Sequence, residues 1–182
     1  GTPWTSKGMQ AGHEAMEQRV RDIVMEATDG ARLPVIVDAS SCTAGFKDML
    51  ESVGITVSDA ISFTADTLLP QLNVQHPVAS VTVHPTCSAF QLGMMEDLET
   101  VAHATAAEVH IPTDWNCCGY AGDRGMLHPE LTEAATRAEA AQVKEIGAQY
   151  HASTNRTCEL GLTRATGEDY HHILELLEQA TR

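Results

Sequence analysis

The chain has 182 residues, which is about one domain's worth, and 43% of them are hydrophobic, enough to build a sizeable core. Its 11 basic and 25 acidic residues give a net charge of −14, so its surface repels nucleic-acid phosphates and anionic lipid. No apolar run approaches the ~18 residues of a membrane span, and no secretory leader opens the sequence. We therefore expect a cytoplasmic protein that binds no nucleic acid.

Short β-branched runs alternate with longer helical patterns along the chain. The pattern predicts helices over residues 12–27, 90–102, 131–146 and 170–180. It predicts strands over residues 34–39, 59–63, 80–84, 108–111 and 149–153. Alternating strands and helices are typical of an α/β fold, in which a parallel sheet is flanked by helices. No low-complexity linker interrupts the chain, so we expect one compact fragment.

The two halves of the sequence are related by an internal repeat. Cys42 and Gly45 follow the first predicted strand, and Cys158 and Gly161 follow the fifth at the same spacing. Each half also carries a long amphipathic helix before its cysteine. We interpret residues 1–64 as the remainder of a first copy and residues 65–182 as a second copy of one supersecondary unit.

Five cysteines, an odd number, favour metal or redox chemistry over a disulfide framework. Cys87 follows the third predicted strand, the adjacent pair Cys117 and Cys118 follows the fourth, and Cys158 follows the fifth. Because the carboxyl ends of parallel strands share one edge of a sheet, these four thiols are expected to meet there. Four thiolates suit either tetrahedral zinc or an iron–sulfur cluster.

The cysteine pattern resembles the CCG cysteine-rich domain of heterodisulfide reductase subunits, glycolate oxidase iron–sulfur subunits and flavin-linked dehydrogenases. That family places one Cys, then Cys-Cys-Gly, then Cys-x-x-Cys, commonly in two tandem copies. The sequence around the motifs is similar to the C-terminal region of bacterial FAD-linked D-lactate dehydrogenases of the quinone- or cytochrome-dependent type. The segments that carry this likeness are GTPWTSKG, DASSC, VHPTCS, CCGYAGDRGM and NRTCELGLTRATG.

The resemblance implies a cofactor and its ligands. It implies a [4Fe-4S] cluster, or zinc in its place, held by Cys87, Cys117, Cys118 and Cys158. Gly1 resembles the glycine of a first Cys-Cys-Gly, which implies a longer parent protein and makes Cys42 the remnant of an incomplete first site. Asn155 stands where the family has the first Cys of Cys-x-x-Cys, which leaves four thiols in the second copy.

The resemblance also implies that other parts of a parent enzyme bind the flavin and the substrate. FAD would lie in an upstream flavin domain, a quinone or cytochrome would accept the electrons, and the parent could be peripheral to the inner face of the cell membrane. The fragment itself would relay electrons without a catalytic site. Two alternatives stay open: thiol chemistry like that of heterodisulfide reductase, and a zinc-stabilised docking module. For His84 and His110, which flank strands, a structural role is favoured.

Overall fold

The computed structural model describes residues 2–5 and 7–182, and these residues divide after Ala60 into two compact units. Gly1, compared above with the glycine of Cys-Cys-Gly, lies outside the described residues. Among the described residues, no helix combines the length and apolarity that a membrane crossing requires. Each unit has its own parallel sheet and its own core.

The first unit is a small two-stranded α/β module. Its elements are α1 (Thr2–Thr5), α2 (Gln10–Ala27), β1 (Val35–Val37), α3 (Ser40–Leu50), a 3₁₀ turn (Glu51–Val53) and β2 (Val57–Asp59). Strands β1 and β2 pair in parallel, with Val35 opposite Val57. The apolar faces of α2 and α3 enclose a core formed by Val37, Met49, Leu50, Ile55 and Val57.

The second unit carries a four-stranded parallel sheet in the order β4-β3-β5-β6. Its strands are β3 (Val78–Val83), β4 (Ala106–His110), β5 (Tyr150–Ser153) and β6 (Tyr170–His172). A short helix, α4 (Ala60–Phe63), joins the two units in sequence and is followed by a π-helical turn (Thr64–Leu68) and a 3₁₀ turn (Leu69–Gln71). The remaining helices are α5 (Cys87–Gln91), α6 (Met95–Thr105), α7 (Arg124–Leu127), α8 (Pro129–Ile146), α9 (Arg156–Thr166) and α10 (Ile173–Ala180).

One face of the second sheet is apolar and forms the main core. Val81, Val83 and Ala152 project from β3 and β5 and are fully buried. Leu98 and Val101 of α6 and the apolar face of α10 pack against them. Burial of these side chains, at roughly 25 cal/mol per Å² of apolar surface, supplies most of the stability of the unit.

The opposite face of the same sheet is polar although it is buried. Thr82, His151 and Tyr170 are register partners on β3, β5 and β6, so their side chains share this face. His84 lies two residues beyond Thr82 and contacts Glu139 of α8, which covers this face. Burial lowers the pKa of His151 and raises that of Tyr170. These polar side chains form a layer between the sheet and α8 that leads to the edge carrying the cysteines.

The α/β class with parallel sheets flanked by helices is confirmed, but several element boundaries are corrected. The expected single sheet is wrong, because β1 and β2 form a separate sheet within the first unit. Residues 60–63, predicted as part of a strand, are helical, and the strand is Val57–Asp59. The helix predicted over 90–102 is two helices, because Gly93 adopts a φ of +72° between them. Residues 170–172, predicted as helix, form strand β6.

Candidate metal centre

Four cysteines of the second unit lie just beyond the carboxyl ends of three neighbouring strands. Cys87 begins α5 after β3, Cys117 and Cys118 lie in the loop that follows β4, and Cys158 lies in the first turn of α9 after β5. Cys118 and Cys158 are each only 4% exposed, whereas Cys87 and Cys117 face solvent. The four thiols therefore divide into a buried pair and an exposed pair.

The buried pair is in direct contact. The Sγ atoms of Cys118 and Cys158 lie 3.1 Å apart, too far for a disulfide bond and close enough for a hydrogen bond. That hydrogen bond, assisted by the Tyr120 backbone and the nearby His84, lowers the pKa of Cys118 to about 6 against the opposing effect of burial. The same hydrogen bond and burial raise the pKa of Cys158. The pair therefore carries one proton, with the negative charge on Cys118.

The exposed pair is linked to the buried pair by charge. Although Cys87 is exposed, partial burial of its thiol raises its pKa, and the neighbouring charge and hydrogen bond of Cys117, then the charge of Cys118, raise it further. The charges of Cys87 and Cys117 also contribute to the raised pKa of Cys158. The charges of other thiols of the site therefore raise the pKa of both Cys87 and Cys158. Mutual repulsion of this kind between thiolates is relieved when a cation binds among them.

The loop that carries the adjacent cysteines is held in place by close packing. Gly119 has a φ of +69°, and a Cβ at this position would lie 2.9 Å from the backbone oxygen of Leu131 in α8. The next residue, Tyr120, is fully buried, and Gly161 of α9 leaves room for its ring and for Cys118. This packing brings Cys118 against α9, where it meets Cys158.

Asn155 lies beside the first cysteine of the site. It is buried, precedes α9, and its Nδ2 donates a hydrogen bond of 3.2 Å to Ser88 Oγ, the residue after Cys87. Thr86 accepts a hydrogen bond from the Ala89 backbone N–H and thereby caps α5. The side chains of Thr86 and Thr154 also contact each other at 3.1 Å, so the loops after β3 and β5 are joined below the thiols.

Sequence reasoning missed a buried histidine–carboxylate pair in the second unit. His84 is fully buried, and its Nδ1 lies 2.7 Å from Oε1 of Glu139, which is also buried. The second ring nitrogen, Nε2, has no hydrogen-bond partner in the described part of the chain. The helical spacing of Thr132, Thr136 and Glu139 with the apolar residues of α8 places Glu139 on the buried face, which was a readable signal.

The fifth cysteine, Cys42, belongs to the first unit. It lies in the first turn of α3 and is exposed. It lines a cavity of about 470 Å³ together with His13, Glu17 and Phe46. Its assignment as the remnant of a first site stays a prediction.

The second unit supplies the kind and number of donors that an iron–sulfur group takes. No three His, Cys, Asp or Glu side chains converge closely enough to hold one metal ion anywhere in residues 2–5 and 7–182. Ligands to one zinc ion lie about 2.3 Å from it, so their sulfurs are within about 4.6 Å of each other. A cluster takes one thiolate on each iron, so its ligands are spread more widely. Four thiols from three neighbouring loops match a cluster in number and in chemistry, while the contacting pair, at 3.1 Å, lies closer together than bound ligands do.

The family model described as the CCG cysteine-rich domain matches residues 81–163. The matched segment runs from β3 to α9 and includes Cys87, Cys117, Cys118 and Cys158. The match supports the CCG family for this segment, a cysteine-rich domain found in iron–sulfur electron-transfer proteins and in families related to oxidoreductases. No curated protein matches the chain.

Proposed function

We propose that this chain is the iron–sulfur electron-transfer region of an FAD-dependent D-2-hydroxy-acid dehydrogenase, with D-lactate as the substrate of the parent enzyme. The observation that carries the proposal is the gathering of four thiols from three loops at one sheet edge, with Cys118 and Cys158 in contact at 3.1 Å. The match of the same segment to the CCG domain supports it.

In this proposal Cys87, Cys117, Cys118 and Cys158 hold a [4Fe-4S] cluster, which when bound stores and releases single electrons. The buried Cys118 and Cys158 form the inner wall, where they exclude water from one side of the site. The exposed Cys87 and Cys117 form the outer rim. Electrons enter and leave on this side, because here the distance between the cluster and a redox partner is shortest. The Phe90 and Trp115 rings, 5.9 Å apart, pack beside this rim.

The proposal assigns the remaining chemistry to other parts of the parent enzyme. A flavin domain takes the hydride from the hydroxy acid, and a quinone or cytochrome receives the electrons. A net charge of −14 disfavours binding of an anionic hydroxy acid by this region itself. We place the parent in the cytoplasm, peripheral to the inner face of the membrane, where a quinone is within reach.

A second function is favoured by one observation. Cys118 and Cys158 are in contact, and the pKa of Cys118 is about 6. Cys118 is therefore a thiolate near neutral pH, which is the form that thiol–disulfide chemistry requires. Chemistry like that of heterodisulfide reductase subunits would use this pair directly. It predicts reduction of a disulfide substrate by the isolated chain, which pure electron relay does not.

The test is anaerobic reconstitution of the chain with iron and sulfide, followed by measurement of iron and acid-labile sulfide per chain. We expect a brown protein with about four irons. The Cys118→Ser variant should lose them, and Cys42→Ser, the matched control in the first unit, should keep them. A colourless chain that retains zinc would contradict the proposal and favour a docking module.

The link to D-lactate is tested on the intact protein that contains the chain. Under anaerobic conditions, added D-lactate should bleach the visible absorbance of the cluster, whereas L-lactate should not. An intact protein whose cluster stays oxidised in D-lactate would contradict the assignment to this enzyme class while leaving the iron–sulfur site in place.

A further inference from the structure

We propose that Cys118 and Cys158 form a reversible disulfide bond in the metal-free chain, and that this bond prevents the metal group from binding. The formation of the bond stands on the geometry of the buried pair alone. Its consequence for metal binding rests on the proposed function, which makes both sulfurs ligands. In contrast to the thiol–disulfide chemistry considered above, the bond is internal to this chain and needs no disulfide substrate.

The two sulfur atoms are already close to bonding distance. They lie 3.1 Å apart, and a disulfide bond requires about 2.05 Å, so the sulfurs need to approach by only about 1 Å. Thiolates bound to a metal group lie farther apart than this pair, because each sulfur is held at the length of a metal–sulfur bond. The observed separation therefore favours a bond between the sulfurs over a preformed set of ligands.

Packing keeps the two cysteine side chains against each other. Cys118 lies over the face of α9 that carries Cys158, since its Cβ is 3.9 Å from a Cβ added at Gly161, which is one turn after Cys158. Tyr120 is fully buried and belongs to the same small cluster of buried side chains as the two cysteines. The fold itself therefore holds the pair in contact.

The other three cysteines are placed differently. Cys42 belongs to the first unit, and Cys87 and Cys117 are exposed. Cys87 and Cys117 interact through a hydrogen bond, so they are the competing pair for oxidation. A disulfide between exposed residues is open to reduction by thiols in solution, whereas Cys118 and Cys158, each 4% exposed, are shielded from them. We therefore assign the lasting bond to the buried pair.

The bond forms by a two-electron oxidation, for which hydrogen peroxide is an oxidant small enough to reach a buried thiol. One thiolate of the pair attacks a peroxide oxygen, which breaks the O–O bond and leaves a sulfenic acid and hydroxide. The second thiol attacks the sulfenic sulfur, and its proton leaves with the hydroxyl group as water. Two thiols and one peroxide thus give one disulfide and two waters. A dithiol reverses the change and is itself oxidised to a disulfide.

The disulfide removes two of the four ligands that the proposed function requires. A [4Fe-4S] cluster takes one thiolate on each iron, and a sulfur in a disulfide bond is no longer a thiolate. Only Cys87 and Cys117 then remain as thiols in the second unit. Oxidation of the metal-free chain therefore closes the site, and reduction opens it again.

The first test is oxidation of the metal-free chain with hydrogen peroxide, followed by denaturation, alkylation of the remaining thiols and peptide mass spectrometry. We expect a cross-linked peptide pair that joins Cys118 to Cys158. The Cys87→Ser/Cys117→Ser variant, which removes the exposed pair, should form the same bond, as should Cys42→Ser, the control in the first unit. A bond between Cys87 and Cys117 alone, or a sulfinic acid on Cys118 in place of a bond, overturns the assignment.

The second test measures iron uptake from a preformed [4Fe-4S] cluster on a scaffold protein. Free sulfide and thiols are left out, because they would reduce the disulfide themselves. We expect the reduced chain to take up about four irons and the peroxide-treated chain to lose this uptake. Treatment with dithiothreitol, followed by its removal, should restore it. The Cys42→Ser variant should lose and regain uptake in the same way.

The outcomes separate this inference from the proposed function. A chain that is fully cross-linked but still takes up about four irons overturns the effect of the disulfide on metal binding and leaves the electron-transfer proposal intact. A reduced chain that takes up no iron contradicts the proposed function, while a peptide that joins Cys118 to Cys158 still supports the disulfide. A chain that forms no such bond and takes up no iron overturns both.

Discussion

The four thiols of the second unit are chemically unequal because of where each side chain lies. Cys118 and Cys158 are buried against Tyr120 and share one proton, whereas Cys87 and Cys117 are exposed. A buried ligand dissociates slowly because water has poor access to the bond it makes. We therefore expect the inner pair to decide whether a metal group is retained and the outer pair to decide how fast it exchanges electrons.

At Asn155 we expect a substitution that spares metal binding. Asn155→Ala should leave iron per chain largely intact after anaerobic reconstitution, because an amide oxygen is a poor ligand for a soft site and this amide donates to Ser88. Cys118→Ala should abolish iron binding. If Asn155→Ala loses iron as completely as Cys118→Ala, the assignment of the four cysteines as the ligand set is wrong.

The thiol pair gives a prediction for the metal-free protein. The pKa of Cys118 is lowered from 9.0 to about 6, so its thiolate persists as the pH falls to about 6. The stability that this ionisation contributes is fully present above pH 9 and is lost as the pH falls through 6. Ultraviolet absorbance should detect one thiolate that titrates near pH 6.

The matched variants for this titration are Cys158→Ala and Cys42→Ala. Cys158→Ala removes the hydrogen bond that is the largest cause of the shift, so the thiolate should titrate nearer its ordinary value. Cys42→Ala should not change the transition near pH 6. Retention of that transition in Cys158→Ala would mean that another group produces it.

At the level of the secondary-structure elements, the loop between β4 and α7 depends on a glycine for two separate reasons. Gly119 has a positive φ, and a Cβ there would lie 2.9 Å from the Leu131 carbonyl oxygen. Gly122, three residues later, also has a positive φ but has open space around it. Gly122 is therefore a control for Gly119, because a substitution there strains the backbone without a steric clash.

Substitutions at these two glycines should differ in their effects. Gly122→Ala should cost about 1 kcal/mol of unfolding free energy, from the left-handed backbone alone. Gly119→Ala should cost more, about 2–3 kcal/mol, and should also reduce iron per chain, because the clash with α8 displaces Cys118. Chemical denaturation and iron analysis measure the two effects. Equal losses of stability with unchanged iron would contradict the role of the close approach.

The sequence predicts the long periodic elements well and the short ones poorly. Helices α2 and α8 lie within two residues of their predicted starts, because their apolar spacing is regular over many turns. Strand β6 was missed because its three residues read as the start of the helix that follows. The thiol positions could be predicted, since strand ends share an edge. The His84–Glu139 pair could not, because the pattern of α8 shows that Glu139 lies on the buried face but not which strand residue that face meets.

At the scale of the whole chain, the cysteines are distributed over two units. Cys42 belongs to the first unit and the other four to the second. In the metal-free chain, Cys42, Cys87 and Cys117 are all exposed, and accessibility alone does not distinguish them. Cys42 would become more reactive than Cys87 and Cys117 only when a metal group occupies the site in the second unit.

Thiol labelling under native conditions measures that difference. With the metal group bound, we expect Cys42 to be modified ahead of the other four, because ligated thiolates react slowly. Without it, Cys87 and Cys117 should react as readily as Cys42, and the buried Cys118 and Cys158 should lag. Mass spectrometry of the labelled peptides reads out each position. Equal labelling of all five in the iron-loaded chain would mean that no site is assembled.

The contact between Cys118 and Cys158 also constrains the order in which the protein can be made. The two residues are 40 positions apart, and α7, α8 and β5 are synthesised between them. Cys87 and Cys118 leave the ribosome first and wait as free thiols until α9 follows. A group bound to both Cys118 and Cys158 would cross-link a loop of 40 residues. If it restricts the unfolded chain as a disulfide does, it would raise the free energy of unfolding by about 4 kcal/mol. A group that bridges Cys118 and Cys158 could therefore close this loop only after the start of α9 has been synthesised.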